Sequence, residues 1–353
     1  MNFTYQALPM RVVFRLGAIA ALPEEADLLG LRRLLVLSTP GHEGRAATVA
    51  DLLGERTAGV HTYAVMHVPV EVARRAVEVA RSASADGCVA VGGGSTIGLG
   101  KAIALELSLP IIAVPTTYAG SEMTPVWGVT EEGAKRTGRD HKVLPRSVVY
   151  DPELTLSRPV GLSAASGMNA IAHAVEALYA PDASPIVSLM AEEGVRAFAA
   201  ALPAIADAPR DPAVRAAALY GAWLCGAALG ATTMSLHHKL CHVLGGALNL
   251  PHAETHAVLL PHVLAYNADA APQAMTALRK ALGADDPALA LYALSGQLGT
   301  PTSLAELGVG EEDLERVVEQ ALSASYANPR EVTPEGLRAL LQGALHGQPP
   351  VSI

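Results

Sequence analysis

The chain has 353 residues, half of them hydrophobic, with only 17% charged and 4% aromatic residues, which is enough apolar material for two domains with separate cores. Its 25 basic and 34 acidic residues give a formal net charge of −9 with no basic block, and this excludes nucleic acid as a principal partner. A small acidic substrate remains compatible, because the charge of a cleft is set locally.

The first 150 or so residues alternate short β-branched runs with alanine-rich amphipathic stretches. RRLLVLSTP (32–40) reads as a buried strand entering a loop. VEVARRAVEVARSASA (70–85) repeats apolar residues at helical spacing and turns Arg74, Arg75, Glu78 and Arg81 to water. GCVAVGGGS (87–95) and LPIIAVPTT (109–117) are two further strands, each leading into a polar loop. Strands separated by helices predict right-handed crossovers and a doubly wound parallel sheet. From about Leu162 the pattern becomes helical throughout, with prolines at 203, 212, 251 and 261 as punctuation, so a helical bundle is expected. The polar, proline-bounded segment Asp151–Pro159 is the expected linker, which divides the chain into an α/β domain over 1–158 and an all-α domain over 159–353.

Cys88, Cys225 and Cys241 stand in apolar contexts without CxxC spacing and read as buried thiols of a reducing compartment. No secretory signal opens the chain, and charges, Gly and Pro interrupt every alanine-rich run. A cytoplasmic protein with no membrane-crossing stretch is the expectation.

Gly92, Gly93 and Gly94 follow a strand and precede a helix, an arrangement that permits close approach of a pyrophosphate to backbone amides. Ser95 and Thr96 add hydroxyls. The motif is neither GxGxxG nor a Walker A loop, and alone it is equally a plain glycine turn. Thr116, Thr117, Gly120 and Ser121 form a second polar loop after the next strand, and two such loops at strand ends favour a nucleotide cleft. The pyrophosphate is expected on Gly93, Gly94 and Ser95, and Lys135 is counted with the cofactor-binding residues.

The run SLHHKLCHVLGGALNLPHAETHAVLLPH (235–262) holds His237, His238, His242, His252, His256 and His262, six of the chain's twelve histidines. His238 and His242 lie four apart and share a helix face, as do Asn169 and His173 in GMNAIAHAVEALY. A lone histidine on an apolar helix is commonly a satisfied core group. Several in apolar surroundings, where an unpartnered imidazole is costly, point to a metal or proton-transfer site.

These passages, with RVVFRLGAIAALPEE, PTTYAGSEMT, VLPRSVVYDPELT and YANPREVTPEGL, cover nearly the whole chain and resemble the iron-containing alcohol dehydrogenase superfamily. GGGSTIGLGKAIA, TGRDHKVLPR and the histidine run are most similar to the maleylacetate reductases within it. The resemblance implies a dehydroquinate synthase-like fold, an NADH- or NADPH-binding amino-terminal domain, a helical carboxy-terminal domain, catalysis between them, and a homodimer. It implies reduction of maleylacetate, a small dicarboxylate, to 3-oxoadipate. The superfamily's metal ligands, an aspartate and three histidines, fall on Asn169, His173, His238 and His252. An amide is a poorer ligand for a hard cation than a carboxylate, so iron or zinc at His173, His238 and His252 is expected to be dispensable. Gly98 replaces an aspartate common in the superfamily, and Arg15 replaces a glycine. Ser38 and Thr39 stand where NAD-specific relatives carry a ribose-binding acid, so NADPH is expected to be tolerated, with Arg45 as a partner for its 2′-phosphate.

His242 and His238 are the leading candidates to stabilise an enolate and protonate carbon, with His173 and His252 completing a polar floor. Lys239, Arg139, Lys142 and Arg146 are candidate partners for the substrate carboxylates, and His237 and His256 are candidates to line the cleft. Three alternatives stay open: a metal-dependent alcohol dehydrogenase, a dehydroquinate synthase-like lyase, and a non-enzymatic nucleotide-binding regulator.

Overall fold

The computed structural model describes residues 3–131 and 134–351, the side chains of Ala134 and Lys135 excepted. Contacts divide the chain into one compact unit over Ala7–Ser157 and another from Arg158 onward that includes the amino-terminal residues up to Gln6.

The first unit is built on β1 (Arg11–Phe14), β2 (Leu34–Leu37), β3 (Thr57–His61), β4 (Gly87–Gly92), β5 (Ile111–Pro115) and the last strand, β8 (Ser147–Tyr150). They form one sheet in the order β1-β8-β5-β4-β2-β3, parallel at every pairing. Strands buried on both faces need near-continuous apolar sequence, and LLVL and IIAVP supply it. Alternate residues serve opposite faces. Leu34 and Val36 join a core with Leu22 and Ala26 of α1 (Leu22–Leu28) and Ala46 and Val49 of α2 (Glu43–Leu53). Leu35 and Leu37 face Ala73, Ala76 and Ala80 of α3 (Val70–Ser82) and Leu99 and Ile103 of α4 (Gly94–Leu107). The outward face of α3 carries Arg74, Arg75, Glu78 and Arg81, as its periodicity predicts.

A hairpin of β6 (Val126–Glu131) and β7 (Ala134–Arg139) forms a separate antiparallel pair that sequence reasoning did not anticipate. The segment expected to be the linker contains the division between the units, and its first residue is anchored. Asp151 is fully buried and accepts from the amides of Gly17 and Ile19, at 3.1 Å each, and of Glu153.

The second unit is helical: α5 (Val160–Tyr179), α6 (Pro185–Asp207), α7 (Pro212–Ala231), α8 (Leu236–Leu248), α9 (His252–Asn267), α10 (Pro272–Leu282), α11 (Pro287–Gln297), α12 (Glu311–Leu322) and α13 (Pro334–Leu345). α5 is buried almost all round and packs against α6, α7 and α9. Pro212 opens α7 and Pro251 caps α9, where proline's fixed φ costs no helical hydrogen bond. Pro203 and Pro261 do not punctuate; both lie inside helices.

The expectation that no stretch reaches membrane-spanning length needs correction, since α7 is 20 residues long with mean hydropathy 1.3. Half of that helix's residues are buried against their neighbours, among them the fully buried Arg215. That guanidinium donates to Ser163 Oγ and to the carbonyls of Pro209 and Arg158, which marks α7 as a core helix of this unit.

Candidate active site

The sheet order reverses direction between β2 and β4. The connection after β2 runs outward to β3, and the one after β4 runs the other way to β5. Such a switch opens a crevice at the carboxyl ends of the two strands, where dinucleotides bind in open α/β sheets. Ser38 and Thr39 follow β2 there, and Gly92 ends β4 with Gly93–Ser95 following it. Gly93 caps α4, whose first amides lack intrahelical partners.

The glycines differ in what requires them. A Cβ on Gly92 would collide with Thr96 Oγ1, and one on Gly93 would stand 2.6 Å from Thr117. A Cβ on Gly94 would meet only Ala119, at an ordinary 3.8 Å. The protein itself therefore does not need glycine at 94; a ligand lying on the backbone would.

The expected hydroxyls also separate. Ser95, Thr117 and Ser121 are half-buried, whereas Thr96 lies fully buried beneath Gly92. Thr116 is buried, and its amide donates to the Gly92 carbonyl at 3.1 Å, which ties the two loops together. Ser38 is also buried, with its hydroxyl directed to the His42 carbonyl, while Thr39 is half-buried with Oγ1 2.9 Å from His42 Nδ1. Arg45 donates to Ser157 Oγ at 2.8 Å. The side chain of Lys135 lies outside the described residues.

Sequence reasoning missed Lys101. Its ammonium is buried and donates to the carbonyls of Ser121, Thr124 and Val126 at 2.7–2.8 Å, clamping the second polar loop to α4. Burial pulls it down to about 7, and the buried Glu122 opposes that shift. Glu122 accepts from Tyr150 at 2.8 Å and is itself pushed up by burial.

In the helical unit, α5, α8 and α9 assemble the histidines. Asn249 takes a left-handed turn at φ 54° to end α8, and Pro251 starts α9, which packs back on α8. The His238 ring lies 5.1 Å from His173 and 5.0 Å from His256, and His252 is 4.4 Å from His256. His242 stands 6.3 Å from His238 and 6.4 Å from His252, parallel to the latter. His173, His237, His238 and His256 are buried, while His242 and His252 are exposed within this unit. Lys239 is half-buried beside His238 on α8. Arg139 and Arg146 are exposed on the other unit, where Lys142 pairs with Asp140 at 3.7 Å.

Glu176, on the same face of α5 as Asn169 and His173, organises this cluster and was not anticipated. Fully buried, it accepts from the amides of Ser235 at 2.9 Å and His237 at 2.7 Å, and so caps α8 where the helix dipole favours an anion. Its Oε2 also lies 2.7 Å from His238 Nδ1. A carboxylate only accepts, so Nδ1 carries a proton and Nε2 is left as the working atom of His238. Among the described residues, that Nε2 is buried without a hydrogen-bond partner, as are Asn169 Oδ1 and His173 Nδ1. Burial, reinforced by the neighbouring histidines, holds His173, His237 and His256 well below the usual imidazole value, so these three are neutral near pH 7.

A buried imidazole oriented by a carboxylate, in a chain whose sheet reverses as in dinucleotide-binding folds, fits an oxidoreductase. The sequence profile of the iron-containing alcohol dehydrogenases matches residues 9–152, and that of the family's carboxy-terminal domain matches 163–345. The chain belongs to the iron-containing alcohol dehydrogenase family. It is 53% identical to a maleylacetate reductase from Pseudomonas knackmussii over 350 residues, 99% of each chain, and 54% identical to one from Burkholderia cepacia over 348 residues, again 99% of each. The crystal structure of maleylacetate reductase from Agrobacterium tumefaciens superposes with a TM-score of 0.97 at 53% identity, covering 99% of this chain and 100% of that one. A 1,3-propanediol oxidoreductase matches with a TM-score of 0.90 at 29% identity, over 98% of this chain and 100% of that one.

Proposed function

We propose that the chain reduces the carbon–carbon double bond of maleylacetate with NADH or NADPH, giving 3-oxoadipate, as a cytoplasmic homodimer. The observation that carries this reading is the full-length likeness to maleylacetate reductases, in a chain whose buried His238 is oriented by Glu176. The nicotinamide supplies the hydride when bound. Negative charge then builds on the substrate's carbonyl oxygen, and a donor must meet it. His238 suits that role, because Glu176 fixes its Nδ1 proton and lies beneath it as a balancing anion once Nε2 is also protonated. His173 is held neutral by its burial and shapes the floor. His242, exposed and next to His238 on α8, delivers the proton to carbon.

A resident iron is a poor match to these donors. Asn169 offers a neutral oxygen where a divalent cation wants an anion. Among the described residues, only His237, Cys241 and His256 are a trio of His, Cys, Asp or Glu side chains with ligand atoms within 4.8 Å of one another; His173, His238 and His252 do not form such a set. No step of the proposed reaction runs through a metal.

The test compares NADH consumption with maleylacetate against NAD reduction with short alcohols, using the purified protein with and without added iron. Turnover on maleylacetate without iron is expected. Activity confined to alcohols and dependent on iron would replace this reading with that of a metal-dependent alcohol dehydrogenase.

A further inference from the structure

Behind the histidines assigned to the reaction lies a second constellation that the reaction does not use. His237 and Cys241 are four apart on α8 and point from one face, and His256 meets them from α9. All three are buried, the most exposed at 1%. His237 Nε2 lies 2.8 Å from His256 Nδ1 and 3.7 Å from Cys241 Sγ. Leu236, Leu240, Leu244, Val258 and Leu259 belong to the same apolar cluster as the thiol.

We propose that His237 Nε2, Cys241 Sγ and His256 Nδ1 form a buried site for a thiophilic divalent cation of the zinc type, distinct from the Asn169, His173, His238 and His252 positions. Tetrahedral ligation at about 2.05 Å for nitrogen and 2.3 Å for sulfur sets two nitrogens roughly 3.3 Å apart, and nitrogen and sulfur roughly 3.6 Å apart. The nitrogen–sulfur edge already has that length. The nitrogen–nitrogen edge needs to open by about half an ångström, which exchanges the imidazole hydrogen bond for two metal bonds. On binding, the Cys241 thiol releases its proton to solvent and bonds to the cation as thiolate, and whichever of His237 Nε2 and His256 Nδ1 carries the proton of their hydrogen bond gives it up to the other nitrogen of its own ring. The thiolate supplies the negative charge that Asn169 does not, and sulfur with imidazole selects zinc-like ions over hard ones. The His256 ring is 4.4 Å from His252 and 5.0 Å from His238, so occupancy is felt at the reacting groups from behind.

The test is spectroscopic and does not depend on which substrate is reduced. Full-length protein, stripped by chelator, is dialysed against Co2+ and read for a thiolate-to-cobalt charge-transfer band in the near ultraviolet. Wild type is expected to show the band and to lose it when Zn2+ displaces the cobalt. Asn169→Ala is expected to keep the band. Cys241→Ser is expected to lose it, with metal affinity down at least tenfold, and His256→Gln, checked for folding by circular dichroism, provides the second loss. A wild type that binds no cobalt, cobalt bound without the band, or a band that survives Cys241→Ser would each overturn the proposal.

Discussion

Replacing Glu176 by glutamine changes one atom and tests the logic of the site. The carboxylate accepts three hydrogen bonds, from the amides of Ser235 and His237 and from His238 Nδ1. An amide keeps one acceptor oxygen and turns the other position into a donor: at the place of Oε2 the oxygen still serves the Ser235 amide and His238 Nδ1 but the NH2 faces the His237 amide, and at the place of Oε1 it serves the His237 amide alone. With the oxygen at the place of Oε1, the NH2 faces Nδ1 and drives the His238 proton to Nε2. With either placement at least one buried backbone donor is left without its acceptor, which costs about 1–3 kcal/mol. The charge-assisted bonds lost add roughly 1.5–3 kcal/mol, so a stability loss of about 2.5–6 kcal/mol is expected. For turnover, the amide swap in a carboxylate–histidine pair costs up to about 10⁴, and loss of general acid–base assistance about 10²–10⁴. A kcat reduced about 10²- to 10⁴-fold, or roughly 3–5 kcal/mol of barrier, is therefore expected, with the KM for NADH little changed. The assay is the loss of NADH absorbance with maleylacetate, and thermal unfolding confirms that the variant is folded at the assay temperature. A folded Glu176→Gln enzyme within about threefold of wild-type kcat would refute the assigned role of the carboxylate, because removing the anion that balances the doubly protonated His238 demands at least the lower end of the range.

Gly94→Val should raise the KM for NADH strongly while leaving thermal stability nearly unchanged, because its Cβ meets nothing closer than 3.8 Å; unchanged cofactor affinity would remove the pyrophosphate from this loop. NADH and NADPH should both support turnover, and Thr39→Asp should shift preference toward NADH by repelling the 2′-phosphate; it is a cleaner test than Ser38→Asp because Ser38 is buried. A wild type that rejects NADPH would disprove this. His242→Ala should cut turnover by about a hundredfold or more, and activity should survive exhaustive chelation; loss on chelation with recovery on added iron would make His173, His238 and His252 catalytic ligands after all. His262, 5% exposed, is pushed by burial to about 4, below its ordinary 6.5. Between those values the unfolded chain binds the proton and the folded chain does not, so stability should fall by about 3 kcal/mol as pH drops through that window, and His262→Phe should flatten the fall in urea melts.

Much of the α/β unit was legible because buried parallel strands write themselves as continuous apolar runs, and α3 has a single wet face. The β6–β7 hairpin was not, since its second strand, AKRTGR, carries charge without alternation. Pro203 and Pro261 misled for a related reason: tertiary packing around a long helix outweighs a local breaker. At the site, the glycine loop and the histidine run stood out by composition. Glu176 did not, because a lone carboxylate in an alanine-rich helix looks like a solvated edge. Its signal was its register, seven residues after Asn169 and three after His173 on one face. His237 and Cys241 show the same four-residue spacing, but the partner that completes them, His256, comes from a different helix and only the fold brings it in.

Family membership alone leaves open whether hydride goes to a carbonyl or to an alkene, and that is the claim to test most directly. Maleylacetate is incubated with the chelator-treated protein and NADH deuterated at the transferred position, and the product is read by mass spectrometry and NMR. The account predicts 3-oxoadipate with one deuterium on a former alkene carbon and its ketone intact, at one NADH consumed per product. A hydroxy acid with deuterium on the carbinol carbon and the alkene retained would contradict it.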